Sequence, residues 1–320
     1  MRIAIVGAGL SGLGVAWHLL KKGRCEITLF ERKGIGAGAS GIAAGLLHPY
    51  AGEQGRRSAF ATEGLAATQE LIDVAQKQLN KRVVLNRGII RHVQNEEQRQ
   101  MFLSHCQAYG DVQVLSEHSF YIASGMTIDC PLYLEGLWQA LLKRGVQLVL
   151  EQVTNLNVLQ GFDRIVVTAG AGAKQFPELS SLNISTLKGQ VLKCRVPEAV
   201  QLPQASSICK GYVALSQDPQ TCFLGSTYER GDLSDKPQLE LAKADLIPKI
   251  SYFFPSVVDL EVVECRAAFR VTRVGHYLPI AAQVAGNIWA LTAQGSRGLL
   301  YHAHYGEKLA DLLLQSSGVS

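Results

Sequence analysis

Residues 1–32 read MRIAIVGAGLSGLGVAWHLLKKGRCEITLFER, and the parts fall in the order strand, glycine turn, helix, strand, acid. Ile3 to Val6 is an apolar run without a polar break, which suits a strand buried on both faces. Gly7, Gly9 and Gly12 form GxGxxG. Gly7 permits a tight turn, Gly9 leaves room for a pyrophosphate against backbone, and Gly12 lets the helix lie close on the strand. The pattern predicts a helix from Leu10 to Lys22 whose N-terminal amides and dipole face phosphates. A second strand, Glu26 to Phe30, ends at Glu31, roughly 20 residues past the glycines, where a carboxylate takes ribose hydroxyls. GxGxxG alone is weak evidence, but here strand, helix, second strand and acid share its spacing. A glycine turn without a ligand leaves Glu31 unexplained. We therefore expect a dinucleotide cofactor held by Gly7, Ala8, Gly9, Leu10, Ser11 and Gly12.

At 320 residues the chain exceeds what one hydrophobic core usually spans, so two domains are expected. Its 47% hydrophobic and 18% charged residues suit a globular enzyme. No apolar run reaches the roughly 18 residues that span a bilayer. The N-terminus is already the first strand, from which we expect no signal peptide and a cytoplasmic location. Seven cysteines are scattered without a CxxC pair, which fits reduced thiols and neither a disulfide frame nor a metal site. The net charge of +4 permits an anionic partner without requiring one.

Residues 32–57 are rich in glycine and alanine, too small-sided to pack a core. Such backbone can lie in close contact with a large flat ligand. Ser40 can donate to a phosphate there, and His48 and Tyr50 fall near its reactive part, whereas Arg56 and Arg57 read as solvated. GAGLSGLG, then LFER, then GAS followed by GLLHP resembles the D-amino acid oxidase-type FAD oxidoreductases. The resemblance implies FAD stretched along this loop. Glu31 and Arg32 would sit at the adenine end, Ala39 and Ser40 along it, and Ala44, Gly45 and Leu46 against the isoalloxazine.

Helical spacing predicts helices over 58–80 and 96–109. Residues 83–93, 112–115 and 120–122 read as extended. His105 and His118 have no partners at metal spacing and read as surface or satisfied core residues. Asp129 caps a helix with Pro131 in its first turn. The strand 146–151 follows, after which the resemblance places Gln152 or Val153 on adenine. The strand 162–170 ends in Thr168, Ala169 and Gly170, small enough for a cofactor to approach. Residues 185–230 alternate and turn often, as antiparallel strands do. A helix over 236–250 and a strand over 262–269 complete that layer. A strand at 288–292, a second glycine turn over Gln294, Gly295, Ser296, Arg297, Gly298 and Leu299, and a helix over 300–314 close the chain. This second helix N-terminus can face the flavin pyrimidine carbonyls.

The expected fold class is α/β: a Rossmann-like FAD-binding domain (1–80, 127–178, 265–320) interleaved with an antiparallel-sheet substrate domain (81–126, 179–264). The resemblance implies oxidation of an amine next to a carboxylate, with hydride passing to flavin N5 and an imine that hydrolyses. An arginine fork suits that carboxylate. AAFRVTRVGHYLPI aligns with the family segment carrying it, which gives Arg270, with Arg273 and Arg266 as competitors. Tyr228 and Tyr212 are candidates to close the pocket, and His48 to serve as base or orienter. No cysteine lies in the second glycine turn, so FAD is expected to be non-covalent. AQGSRGLLYHAHYGEKLAD, LGSTYERGD and LKGQVL further resemble the oxidase domain of bifunctional tRNA wobble-uridine-modifying enzymes. That branch implies removal of a carboxymethyl group from a 5-carboxymethylaminomethyl uridine, with tRNA as partner. The chain opens at the fingerprint, so no preceding methyltransferase domain is expected. A small-molecule glycine, sarcosine or D-amino acid oxidase and a flavin-binding protein without turnover are the alternatives.

Overall fold

The computed structural model describes residues 1–23, 25–231 and 234–315. The chain builds two sheets and crosses between them repeatedly. The first sheet has six strands, in the order Ile280–Ala285, Ile288–Thr292, Arg164–Val167, Arg2–Val6, Glu26–Phe30 and Gln147–Val149. All neighbours run parallel except the first pair, an antiparallel hairpin at the edge. A parallel sheet is covered on both faces, which is why Ile3 to Val6 can be apolar without alternation. Ile3 and Ile5 point into a core shared with the helices Leu10–Lys22, Ala61–Leu79, Cys130–Leu142 and Gly298–Gln315. Ala4 and Val6 point the other way, into a smaller cluster with Leu156, Phe176 and Leu179. Each such large side chain taken out of water contributes about 1.5–3 kcal/mol, so two buried faces anchor this central strand.

The helices Leu10–Lys22 and Gly298–Gln315 cross backbone to backbone. A Cβ at Gly14 would stand 3.0 Å from the His302 carbonyl oxygen, and one at Gly306 would stand 3.0 Å from the Gly14 carbonyl carbon. Asp129 caps its helix through the Leu132 amide at 3.0 Å, and Asn95 caps the helix Glu96–Ala108 through the Gln98 amide at 2.9 Å.

The second sheet has nine strands and is antiparallel apart from one parallel pair, Ser207–Ile208 against Val84–His92. Its longest pairing joins Ile184–Arg195 to Glu261–Arg273, from Arg195 opposite Glu261 to Ile184 opposite Arg273, with one register shift between Val262 and Glu264. Behind it the helix Leu239–Ser251 seals a core of Leu192, Cys194, Leu224 and Leu246. All seven cysteines are free thiols.

Several elements differ from the sequence reading. The strand expected to end at Phe269 continues to Arg273, because Ile184 to Leu187 extend its partner that far. The strand read as 120–122 runs from Ser119 to Ile128, its small residues Ser124 and Gly125 falling at the register shift between two stretches that pair with Val84–His92. Ile280–Ala285 was invisible as a strand: its alanines have poor β propensity, and pairing with Ile288–Thr292 supplies the order. The last helix begins at Gly298, not residue 300. Arg57 is not solvated: it donates to the Tyr50 hydroxyl at 2.9 Å, and its guanidinium lies 3.4 Å from Asp111 and over the Tyr109 ring.

Candidate cofactor and substrate site

The fingerprint turn is built without side chains because backbone closes in from three directions. Gly7 has φ +108°, and a Cβ there would meet the Thr168 carbonyl oxygen at 2.6 Å. A Cβ on Gly12 would meet the Gly7 oxygen at 2.0 Å, and one on Gly9 the Ser40 Oγ at 2.8 Å. The Thr168 hydroxyl donates to the Gly7 carbonyl at 2.8 Å, so Thr168, Ala169 and Gly170 lie beside the turn. Ser40, in the short helix Ala39–Ile42, accepts from the Leu10 amide at 3.1 Å. Glu31 accepts from the Ala8 amide at 3.0 Å and the Lys33 amide at 3.2 Å. Arg32 is exposed. Val153 is buried in the cluster that Phe30 packs against.

From Ser40 the chain runs to Gly45, which has φ +77° and lies against Ile128, whose amide donates to the Gly45 oxygen at 2.9 Å. Leu46 then pairs with Thr127 and joins the nine-stranded sheet. A cavity of about 120 Å³ separates Ile42, Ala43 and Ala44 from Phe223 and Arg266 on that sheet. The stretch from Gly7 to Leu46 therefore bridges the two sheets.

The second glycine turn closes on the first. Leu10 Cδ1 lies 3.7 Å from where a Cβ on Gly298 would stand. Thr272, two residues past Arg270, bridges Gln294 at the start of the turn. Gln294 Nε2 is enclosed without a hydrogen-bond partner, the kind of buried donor that a carbonyl-rich ligand satisfies. Arg297 reaches away from the turn to Ser58 Oγ at 3.2 Å and the Ala51 carbonyl at 3.3 Å, and lies over the Tyr277 ring.

Arg270 is half-buried. It donates from Nη1 to the Thr227 carbonyl at 3.3 Å and from Nη2 to the Ser226 hydroxyl, and it lies over the Tyr228 ring at 4.7 Å. It has no carboxylate partner among the described residues. Its competitors differ. Arg266 is tied to Glu264 by two hydrogen bonds of 2.7 Å, and Arg273 is exposed. Tyr212 lies beside this group, its hydroxyl 2.3 Å from where a Cβ on Gly225 would stand. Burial raises the Tyr212 pKa, against the pull of Arg270. Tyr228 is 57% exposed, so the group around Arg270 reaches the surface at this ring.

His48 follows the strand Leu46–Leu47, on a loop whose carbonyls are held by side chains from elsewhere. Arg91 donates to Gly52 and Glu53 at 3.3 and 2.7 Å, Gln98 to Glu53 at 3.1 Å, and His105 pairs with Gly55 at 3.0 Å. The His48 Nδ1 is enclosed and without a partner. Burial, then the Arg91 and Arg297 guanidinia, lower its pKa to about 3.

The structure thus gathers Gly7 to Gly12, Glu31, Ser40 and Thr168 at one end, and Arg270, Tyr212 and Tyr228 on the sheet whose strand bridges Gln294. The sequence reading missed Gly189 and Ser226, and took Gln294 only as the opening of the second glycine turn. Gly189 was detectable as a glycine interrupting an alternating strand. No helix among the described residues is long and apolar enough to cross a membrane, and none of their His, Cys, Asp and Glu side chains group to hold a metal.

A family model described as FAD dependent oxidoreductase (DAO) matches residues 2–312. The tRNA 5-methylaminomethyl-2-thiouridine biosynthesis bifunctional protein MnmC of Marinobacter nauticus is 24% identical over 98% of this chain, which spans only 55% of that relative. The uncharacterized oxidoreductase YurR of Bacillus subtilis is 25% identical over 97% of this chain and 94% of its own. Among solved structures, glycine oxidase from Geobacillus kaustophilus superposes with TM-score 0.82 at 20% identity, covering 98% of this chain and 95% of its own. Iminodiacetate oxidase from Chelativorans sp. BNC1 gives 0.80 at 20% identity, with the same coverages.

Proposed function

We propose how this chain, which belongs to the DAO family of FAD dependent oxidoreductases, acts: it oxidises the C–N bond of an amine that also carries a carboxylate. The six-stranded sheet with its helices is the cofactor unit, and the nine-stranded sheet is the substrate unit. The residues fit FAD. The Leu10 helix start and Ser40 would hold the pyrophosphate, Glu31 the ribose, Val153 the adenine side, and Ala44, Gly45 and Leu46 the flat ring. The Gly298 helix start and Gln294 Nε2 would meet the ring's carbonyl edge. Bound FAD supplies the two-electron acceptor for the C–H next to nitrogen.

One observation carries the reading. Arg270 is a half-buried guanidinium with no carboxylate partner among the described residues, fixed beside the second glycine turn. Of its five N–H groups two are engaged, which leaves three to meet a substrate carboxylate. Tyr212 and Tyr228 flank that fork, and their rings hold the amine in place. His48 serves as a neutral wall, since a ring with a pKa near 3 is a poor base at neutral pH.

The amine is the secondary amine that bears the N-carboxymethyl group of a modified uridine in tRNA. Two things support this finer reading: the likeness to MnmC along the chain, and the open edge at Tyr228, which an amine attached to a polymer requires. Anaerobic bleaching of the flavin tests both levels. We expect bleaching by an N-carboxymethylaminomethyl nucleoside in preference to free sarcosine or glycine. Bleaching by sarcosine at low millimolar concentration and not by the nucleoside would move the assignment to a small-molecule oxidase. No bleaching by any carboxylate-bearing amine would overturn the enzyme reading.

A further inference from the structure

The motif LKGQVL lies in the strand Ile184–Arg195 and has no part in the reading above. Its central residues alternate across the sheet, and both faces touch the surroundings of Arg270. On the front face stands Gly189, opposite Ala268 in register. The guanidinium of Arg270 lies flat over it. A Cβ on Gly189 would stand 2.5 Å from Nη2, 2.6 Å from Nη1 and 2.7 Å from Cζ. No side chain larger than hydrogen leaves that space.

On the back face stand Lys188 and Gln190, both fully buried. They hold the segment 226–229, which continues along their strand. Lys188 and Glu229 exchange main-chain hydrogen bonds of 3.1 and 3.0 Å, and the Thr227 amide donates to the Gln190 carbonyl at 3.2 Å. The Gln190 amide in turn donates to Thr227 Oγ1 at 2.9 Å. The Glu229 carboxylate gathers the rest: it accepts from Gln190 Nε2 at 2.9 Å and from the Thr227 hydroxyl, and lies 3.8 Å from Lys188 Nζ. The carboxylate is partly buried, its side chain 24% exposed, and a carboxylate drawn out of water in this way is held by pairing and hydrogen bonds, both present here. The segment it anchors supplies the Ser226 hydroxyl, the Thr227 carbonyl and the Tyr228 ring that hold Arg270.

We infer that Lys188, Gly189 and Gln190 are positioning residues that seat Arg270: Gly189 clears the surface on which the guanidinium lies, while Lys188 and Gln190, through Glu229 and Thr227, fix the segment that grips it. This rests on the reading of Arg270 as the carboxylate's partner, and deepens it. The seat acts through one flexible side chain, so Gly189→Ala leaves the fold intact, because the guanidinium is able to move. What it removes is the aim of the fork.

The test uses the FAD-loaded protein. Gly189→Ala should keep its FAD content and thermal midpoint, while its dissociation constant for acetate, read from the flavin absorbance, rises about 10- to 100-fold, the worth of a charge-assisted pair. KM for the carboxylate-bearing amine should rise more than kcat falls. Added to Arg270→Lys, which lacks the atoms over Gly189, Gly189→Ala should change affinity by less than about twofold, whereas a merely structural glycine would cost the same in both backgrounds. Glu229→Gln should weaken acetate binding in the same direction. A crystal structure of Gly189→Ala should show Arg270 parted from Ser226 Oγ. Wild-type acetate affinity in Gly189→Ala, or an Arg270 unmoved in that crystal, overturns the seat. Wild-type protein indifferent to acetate, with Arg270 displaced in the variant crystal, leaves the seat standing and removes the carboxylate reading instead.

Discussion

Leu10 and Gly298 are neighbours: Cδ1 of the first lies 3.7 Å from where a Cβ on the second would stand. Each opens a helix, one near either end of the chain, and the two helices cross at Gly14 and Gly306. Two positive helix ends are thereby set side by side, and the strand carrying Arg270 reaches them through the Thr272–Gln294 bridge. Long-range backbone packing assembles this arrangement, and its consequences can be measured.

The close approach at the fingerprint should be intolerant of a methyl group. A Cβ on Gly12 would meet the Gly7 oxygen at 2.0 Å, and backbone cannot step aside as a side chain can. Gly12→Ala is expected to cost about 1–3 kcal/mol of stability and to lower FAD retention. Urea unfolding and the ratio of flavin to protein absorbance measure both.

FAD is expected to leave on denaturation. Heating or acid precipitation should put the flavin in the supernatant, with none on the protein band in a denaturing gel. Flavin fluorescence on that band would mean a covalent link.

Replacing Arg270 by Ala should raise KM for carboxylate-bearing amines about 10- to 100-fold, the worth of lost charge-assisted hydrogen bonds. An amine without a carboxylate should be indifferent to the change. Steady-state kinetics with the two substrate types side by side decide it.

Acid should destabilise the fold below about pH 6.5. Burial lowers the pKa of His48 to about 3, and those of His92 and His302 to about 4. His302 shows why: its Nδ1 lies 3.0 Å from the Gly298 and Leu299 carbonyls, and its Nε2 pairs with the Tyr133 hydroxyl at 2.8 Å, a set that suits the neutral ring. Between about pH 4 and 6.5 the unfolded chain binds protons that the folded chain excludes, so this stability is whole above 6.5 and is lost as pH falls through that window. Thermal midpoints from pH 7.5 to 4.5 should fall, and His48→Gln should flatten part of the fall. The kcat/KM profile should show no step from His48 near pH 6.5.

If tRNA is the substrate, its retention should weaken steeply with salt, since phosphate contacts release counterions. Filter binding at rising potassium chloride measures the slope. Absence of binding at low salt would confine the enzyme to small amines.

Much of this protein was readable from its residues in order. The β-strand, glycine turn, helix and acid of residues 2–31 are set by local rules of sterics and burial, and the fold class and dinucleotide expectation follow from them. Arg270 and its two tyrosines were nameable only by resemblance, because an arginine in a strand has no local signature of its role. Tertiary structure alone decided the rest: that Glu264 occupies Arg266 while Arg270 has no carboxylate partner among the described residues, that Arg57 turns inward to Asp111, and that Gly189 lies beneath a guanidinium from another strand. The physical reason is one of range. Backbone conformation and burial pattern are written in neighbouring residues, whereas the partners of a long charged side chain are chosen among atoms that only folding brings within a few ångströms.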